Sequence, residues 1–127
     1  MQSLLCAGFG GFIGACLRFV TTKALLRLAP AFPYGTLLSN LLAAFAIGFI
    51  IGAERRAGNL DERLKSFLAS GLLGGLSTFS TTSQETVQFL DKGSFLAAGL
   101  NHSANLVLSL GLVFAGAALG GAIFREA

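Results

Sequence analysis

The residues whose types could do chemistry are concentrated in one apolar stretch of the chain, residues 71–83. This stretch reads Gly71-Leu72-Leu73-Gly74-Gly75-Leu76-Ser77-Thr78-Phe79-Ser80-Thr81-Thr82-Ser83. Its three glycines each disfavour a helix by about 1 kcal/mol relative to alanine, and six of the seven residues from Ser77 to Ser83 carry a hydroxyl group. We therefore predict a helix broken at mid-membrane, in which freed carbonyl oxygens coordinate a cation and the N-terminus of the second half-helix attracts an anion. The alternative is a continuous, kinked helix whose hydroxyls bond back to their own turn.

A second group of polar side chains lies in other apolar stretches. Asn40 lies in one of them, and Asn101, Asn105 and Ser109 recur every four residues in another, so that these three share one helix face. An amide in hydrocarbon is costly unless it is hydrogen-bonded or hydrated. These residues therefore either bond the helices to one another or line a path that hydrates an ion. His102, the single histidine, is placed near the end of its span and is interpreted as an interfacial residue rather than a proton relay.

The acidic residues and cysteines argue against several kinds of chemistry. No carboxylate lies near the centre of an apolar stretch, and Glu85 comes six residues after Phe79. Proton-coupled transporters usually place a carboxylate in their pathway, so the sequence argues against that class. Cys6 and Cys16 would be about 15 Å apart on one helix, which is too far for a disulfide. Because no nucleophile, acid–base pair or metal cluster is recognisable, we predict that the chain is not an enzyme.

The composition explains where such a chain must reside. Of 127 residues, 54% are hydrophobic and 12% are charged, and the mean hydropathy is +0.74. A soluble domain carries about 25% charged residues, so the bilayer is the expected environment. The net charge is +3, but the basic residues are spread singly and in pairs between apolar runs, so we predict no nucleic-acid binding.

Four apolar runs are long enough to cross a membrane. They cover about Ser3 to Val20, Tyr34 to Ala53, Ser66 to Leu90, and Phe95 to Phe124. We therefore predict an all-α integral membrane protein in which residues 1–127 form a single four-helix transmembrane domain. Small residues recur every four positions in three of the runs, which favours close helix packing in a compact bundle. Examples are Gly10 and Gly14, Ala44, Gly48 and Gly52, and Gly116 and Gly120.

The distribution of basic residues does not select one orientation in the membrane. Arg18, Lys23, Arg27 and Lys92 fall on one side, and Arg55, Arg56, Arg63, Lys65 and Arg125 fall on the other. Orientation normally follows an excess of Lys and Arg in the cytoplasmic loops. The balance is compatible with copies inserted in both orientations that pair as an antiparallel dimer. The alternative is that short loops leave the topology to weaker signals.

Three motifs resemble those of the Fluc (CrcB) family of fluoride channels, and together they extend over nearly the whole chain. The first is the run Gly10-Gly11-Phe12-Ile13-Gly14-Ala15-Cys16-Leu17-Arg18-Phe19. The second is Pro33-Tyr34-Gly35-Thr36-Leu37-Leu38-Ser39-Asn40, followed by Phe45 and Gly48. The third is Gly74-Gly75-Leu76-Ser77-Thr78-Phe79-Ser80-Thr81. The order and separation of the three motifs are similar to those of the family.

This resemblance implies a fold, a function and a set of site residues. It implies an antiparallel, dual-topology homodimer in the cytoplasmic (inner) membrane that exports fluoride passively through two pores and so relieves fluoride toxicity. By the same analogy, carbonyl oxygens of Gly74 and Ser77 from both subunits hold a structural sodium ion, and Asn40 and Phe79 line the pores. An aromatic ring suits this role because its edge is electropositive. The remaining implied residues are Asn105 and Ser109 on the pore wall, Glu85 in a vestibule, and Arg18, Gly75 and Thr78 in structural roles.

The chain departs from the family pattern at three positions. Thr82 stands where relatives usually carry a second phenylalanine, Ser77 stands for a threonine, and Val113 stands for a threonine of the last span. We expect the Thr82 hydroxyl to replace the second ring as a donor on the pore wall. Two other functions remain as alternatives. A small multidrug exporter needs a buried glutamate in its first span, which this chain lacks, and a non-transporting membrane subunit would not require a broken third span.

Overall fold

The structure, a computed structural model, describes residues 1–124, and within them it contains helices and connecting turns but no strand. Arg125, which belongs to the charge balance above, lies outside the described residues. In chain order the elements are α1 (Gln2–Leu28), α2 (Tyr34–Ala57), α3 (Glu62–Lys65), a π-helix (Ser66–Leu73), α4 (Gly74–Leu76), α5 (Phe79–Asp91) and α6 (Phe95–Ile123).

Three of these helices are long and apolar enough to cross a membrane. They are α1, α2 and α6, with 27, 24 and 29 residues, and a crossing helix needs about 20. The predicted third span is instead divided between residues 62–76 and α5. The prediction of an all-helical chain with four apolar runs is thus confirmed as three membrane-crossing helices plus one bent span. Two helices are longer than the apolar runs predicted for them. α1 continues past Val20 to Leu28, and α2 continues past Ala53 to Ala57.

Small residues let α2 and α6 pack with their backbones in contact. A methyl group on Gly48 would overlap the backbone of Val113, and one on Gly116 would overlap the carbonyl oxygen of Phe45. Gly52 and Gly120 are equally confined one turn further along each helix. The four-residue glycine spacing in these spans therefore marks the contact surface, as predicted.

The first half of the third span packs against α1 in the same way. A methyl on Gly10 would overlap the carbonyl oxygen of Phe67, and one on Gly75 would come within 2.5 Å of the carbonyl oxygen of Gly11. This contact includes the π-helix, a rare conformation with wider turns that often occurs at functional sites. The π-helix was not predicted from the sequence.

The chain breaks its helix between α4 and α5. Ser77 and Thr78 both have extended backbones, with φ/ψ of −80°/154° and −156°/119°. Thr78 then caps α5, because its hydroxyl oxygen accepts a hydrogen bond from the N–H of Thr81 at 3.2 Å. The predicted break is thus found within the glycine- and hydroxyl-rich stretch.

Candidate functional site at the helix break

Asn40, on α2, holds the break in place. Its Oδ1 accepts a hydrogen bond from the backbone N–H of Thr78 at 2.7 Å. Its Nδ2 lies 3.3 Å from the carbonyl oxygen of Thr78, 3.0 Å from Oγ1 of Thr82 and 2.8 Å from Oδ1 of Asn105. One amide therefore bonds both backbone polar groups of Thr78, whose N–H has no helical partner because α4 ends at Leu76.

A ladder of polar groups continues from this point along α6. Asn105 Nδ2 donates to the carbonyl oxygen of Asn101 at 2.8 Å. Asn101 Nδ2 in turn reaches the carbonyl oxygen of Thr82 at 3.3 Å and Oγ1 of Thr86 at 3.1 Å. Asn101 is 0% exposed, and its side chain joins α6 to α5 through these hydrogen bonds. The sequence placed Asn101 on this face and left interhelical bonding as one of two alternatives, and for Asn101 the hydrogen bonds to α5 are of that kind.

Thr82 has its hydroxyl group engaged within the protein. Its Oγ1 donates to the carbonyl oxygen of Thr78 at 3.0 Å and accepts from Asn40 Nδ2 at the same distance. The residue is 2% exposed. The single hydroxyl hydrogen is thus committed to Thr78, and a bond from Thr82 to an anion would require that contact to open. The role of Thr82 as a donor on a pore wall stays a prediction.

The break opens on a cavity of about 420 Å³ that is lined by every residue implied for the pore wall. The predicted residues among its lining are Asn40, Gly74, Ser77, Thr78, Phe79, Thr82, Asn105 and Ser109. Phe79 is 75% exposed in the single chain. No Asp, Glu, Lys or Arg among residues 1–124 contributes to the lining, so this wall consists of neutral polar groups, apolar side chains and one histidine.

That histidine is His102, and its interpretation as an interfacial residue stays a prediction. It lines the cavity, and its ring lies beside the ring of Phe79, with centroids 6.4 Å apart and planes inclined at 69°. α6 begins at Phe95, so His102 is almost two turns inside the helix. One feature of the sequence could have predicted that His102 lines the cavity. It is next to Asn101 and three residues before Asn105, on the polar side of the helix.

Glu85 lies at a second cavity, of about 340 Å³, near the end of α5. Its Oε1 accepts a hydrogen bond from the hydroxyl of Thr36 on α2. Its other carboxylate oxygen is buried and has no hydrogen-bond partner among residues 1–124. Lys92 also lines this second cavity. The structure therefore separates Glu85 from the cavity at the break.

Arg18 connects α1 to the broken span. Its Nε donates to the carbonyl oxygen of Gly75 at 3.1 Å. That oxygen needs an outside partner because the helix stops at Leu76. Arg18 does not line the cavity at the break, so within the described chain it stabilises the end of α4.

The carbonyl oxygens of Gly74 and Ser77 accept no hydrogen bond within residues 1–124. A methyl group added to Gly74 would meet only the carbonyl oxygen of Ala69, at an ordinary 3.6 Å. Gly74 therefore faces the open side of the single chain, unlike Gly75. Free carbonyl oxygens of this kind are suitable ligands for a hard cation, although two oxygens alone do not complete a coordination shell.

With this geometry described, the chain can be compared with known proteins. The family described as CrcB-like protein, Camphor Resistance (CrcB), matches residues 5–117. The chain belongs to the CrcB family. Since several of its helices are long and apolar, this CrcB protein is a multi-pass protein of the cell membrane.

Three relatives are similar to this chain along most of their length. A protein from Clostridium novyi (strain NT) is 40% identical over 128 residues, which cover 98% of this chain and 100% of the relative. One from Campylobacter fetus subsp. fetus (strain 82-40) is 46% identical over 81% of each chain. One from Shewanella sp. (strain ANA-3) is 39% identical over 91% of this chain and 94% of the relative. All three relatives are named fluoride-specific ion channel FluC.

Proposed function

We propose that this chain forms a fluoride-selective channel, not an enzyme, that exports fluoride passively across the cytoplasmic membrane and so relieves fluoride toxicity. The observation that carries the proposal is the cavity at the helix break, which Asn40 organises and whose lining has no fixed charge. The CrcB membership and the relatives named as fluoride channels support the choice of ion.

The start of α5 supplies chemistry suited to an anion. Thr81 has its N–H bonded to Thr78, whereas the N–H groups of Phe79 and Ser80 are the first two of the helix and have no partner in an earlier turn. The positive end of the helix dipole adds to their attraction for a negative ion. Phe79 extends from the same turn, and its ring edge is electropositive. A fluoride ion that loses water here would find amide donors and an aromatic edge as substitutes.

A second copy of the chain is needed to complete this site. Phe79 is 75% exposed, and Ser77 and Ser109, which are partly exposed, line the same cavity of the single chain. Polar groups that faced lipid would be costly. We infer that another copy covers this side, and the balanced basic residues support an antiparallel, dual-topology homodimer.

The same pairing would complete a cation site. Carbonyl oxygens of Gly74 and Ser77 from two copies would together present four ligands to a structural sodium ion at the dimer interface. Such an ion would supply positive charge close to the anion path and would fix the two broken spans relative to each other. The unpaired state of these oxygens in the single chain supports the assignment.

The alternative functions account for less of the geometry. A multidrug exporter of this size would need a carboxylate in α1, and none occurs between Gln2 and Leu28. A non-transporting subunit would not need a polar cavity open to one side of the bundle.

Ion efflux from liposomes tests the proposal. Purified protein is reconstituted into liposomes loaded with equal potassium fluoride and potassium chloride, and valinomycin is added to balance charge. A fluoride electrode and a chloride electrode then follow both ions in one sample. We expect rapid fluoride release and chloride release no faster than in protein-free liposomes. Equal release of both ions would reject fluoride selectivity, and release of neither ion would reject the channel.

A further inference from the structure

Among the residues that the structure describes, His102 is the one ionisable side chain in the wall of the cavity at the break. The other lining residues contribute only amide, hydroxyl, backbone and apolar groups. The imidazole is exposed in the single chain, and no group within residues 1–124 forms a hydrogen bond with either ring nitrogen. Both nitrogens are therefore available to water or to an ion in the cavity. The ring lies 6.4 Å, between centroids, from that of Phe79.

The charged groups of the neighbouring helices lie away from this imidazole. On α5 they are Glu85, which is bonded to Thr36 and lines the second cavity, and Asp91, which is the last residue of the helix. On α2, the part that lines the cavity, residues 40–47, has no titratable side chain. The contribution of the π-helix and α4 to the cavity is likewise uncharged, since it consists of Ala69, Leu73 and Gly74. The charge of this wall therefore depends on whether His102 is protonated.

We propose that His102 is a halide-binding residue of this channel, and that its protonated form attracts fluoride to the wall beside Phe79. The inference rests on the proposed function, because it assigns a charge-dependent step to the same pathway. A protonated imidazole donates from both ring nitrogens. Hydrogen bonds from a charged donor to an anion are stronger than those between neutral groups. Fluoride flux should therefore increase as the pH falls.

Coulomb's law gives the order of magnitude of the effect for an anion that lies about as far from the imidazole as the Phe79 ring does. A unit charge on the imidazole and an anion about 6 Å away attract each other, even in water, strongly enough to raise occupancy about threefold. Because binding of the two ions is reciprocal, fluoride must also favour proton uptake by His102.

The first test uses the wild-type protein alone. His102 is the single histidine of the chain, so protein labelled with ¹⁵N-histidine and freed of any tag gives one imidazole signal in an NMR titration. The titration is run in sodium fluoride and in sodium chloride at equal ionic strength. A threefold effect corresponds to a midpoint about half a pH unit higher in saturating fluoride. Equal midpoints in the two salts would overturn the proposal.

The second test measures flux through wild type and His102→Gln at pH 8 and at pH 5.5. Release from protein-free liposomes at each pH is subtracted, because hydrogen fluoride crosses lipid. The ratio of wild-type to variant flux should rise about threefold between pH 8 and pH 5.5. If both proteins conduct with the same pH profile, the role of His102 is refuted while the channel stands. If neither conducts at pH 8, the proposed function fails and the role of His102 fails with it.

Discussion

Asn40 offers the sharpest test of how the break is maintained. Asn40→Leu keeps a side chain of similar shape and removes all the hydrogen bonds of the amide. Two groups would then lose their partners, the N–H of Thr78 and the Oδ1 of Asn105, whereas the carbonyl oxygen of Thr78 keeps its bond from Thr82. Each buried group left without a partner costs about 1–3 kcal/mol. We expect the free energy of unfolding of the variant to fall by roughly 2–6 kcal/mol. Hydrogen bonds between membrane helices are often weak, which favours the lower end of this range.

The assay compares unfolding and flux of the same preparations. Unfolding is followed by circular dichroism as the protein is titrated with denaturing detergent, and fluoride efflux is measured in liposomes. Ser39→Ala is the matched control, because Ser39 is also on α2 and fully buried, but its hydroxyl has no hydrogen-bond partner within residues 1–124. We expect the control to match wild type in both assays. Wild-type stability and flux in Asn40→Leu would refute the role given to this amide.

Three further predictions concern packing, the hydroxyl ladder and topology. Gly48→Val should prevent a stable, monodisperse preparation by gel filtration, because its side chain would enter the backbone of Val113, whereas Gly99→Val, where the added carbon meets nothing within 4 Å, should not. Thr82→Val should reduce fluoride efflux severalfold, since Asn40 loses an acceptor and Thr78 a donor; wild-type efflux would exclude the hydroxyl from the pathway. Adding two or three lysines to one end should give variants that conduct only when oppositely biased copies are co-expressed, and full flux from one biased variant alone would reject the antiparallel dimer.

The sequence predicted those parts of the fold that depend on neighbouring residues. Gly74 and Gly75 followed by a run of hydroxyl residues predicted the break, and Thr78 caps the next helix as its residue type favours. The four-residue glycine spacing of α2 and α6 predicted their contact surface because spacing alone determines which residues share a helix face.

The sequence could not predict the features that depend on residues far apart in the chain. The hydroxyl of Thr82 is engaged because Asn40, from another helix, folds against it. The position of His102 beside Phe79 depends on how α6 is rotated against α5, and charge patterning carries no information on that rotation. The π-helix lies where Gly71 packs against α1, which is a tertiary contact.

The most direct test of the account compares two phenylalanines in fluoride efflux from liposomes. Phe79 and Phe114 are both 75% exposed, but only Phe79 lines the cavity at the break. Each of the variants Phe79→Ile and Phe114→Ile removes one aromatic ring and its electropositive edge. Each variant is first checked for wild-type elution by gel filtration. If fluoride passes along the Phe79 ring, Phe79→Ile should nearly abolish efflux while Phe114→Ile conducts like wild type. Wild-type efflux from Phe79→Ile, or an equal loss in both variants, would contradict a fluoride path at this break.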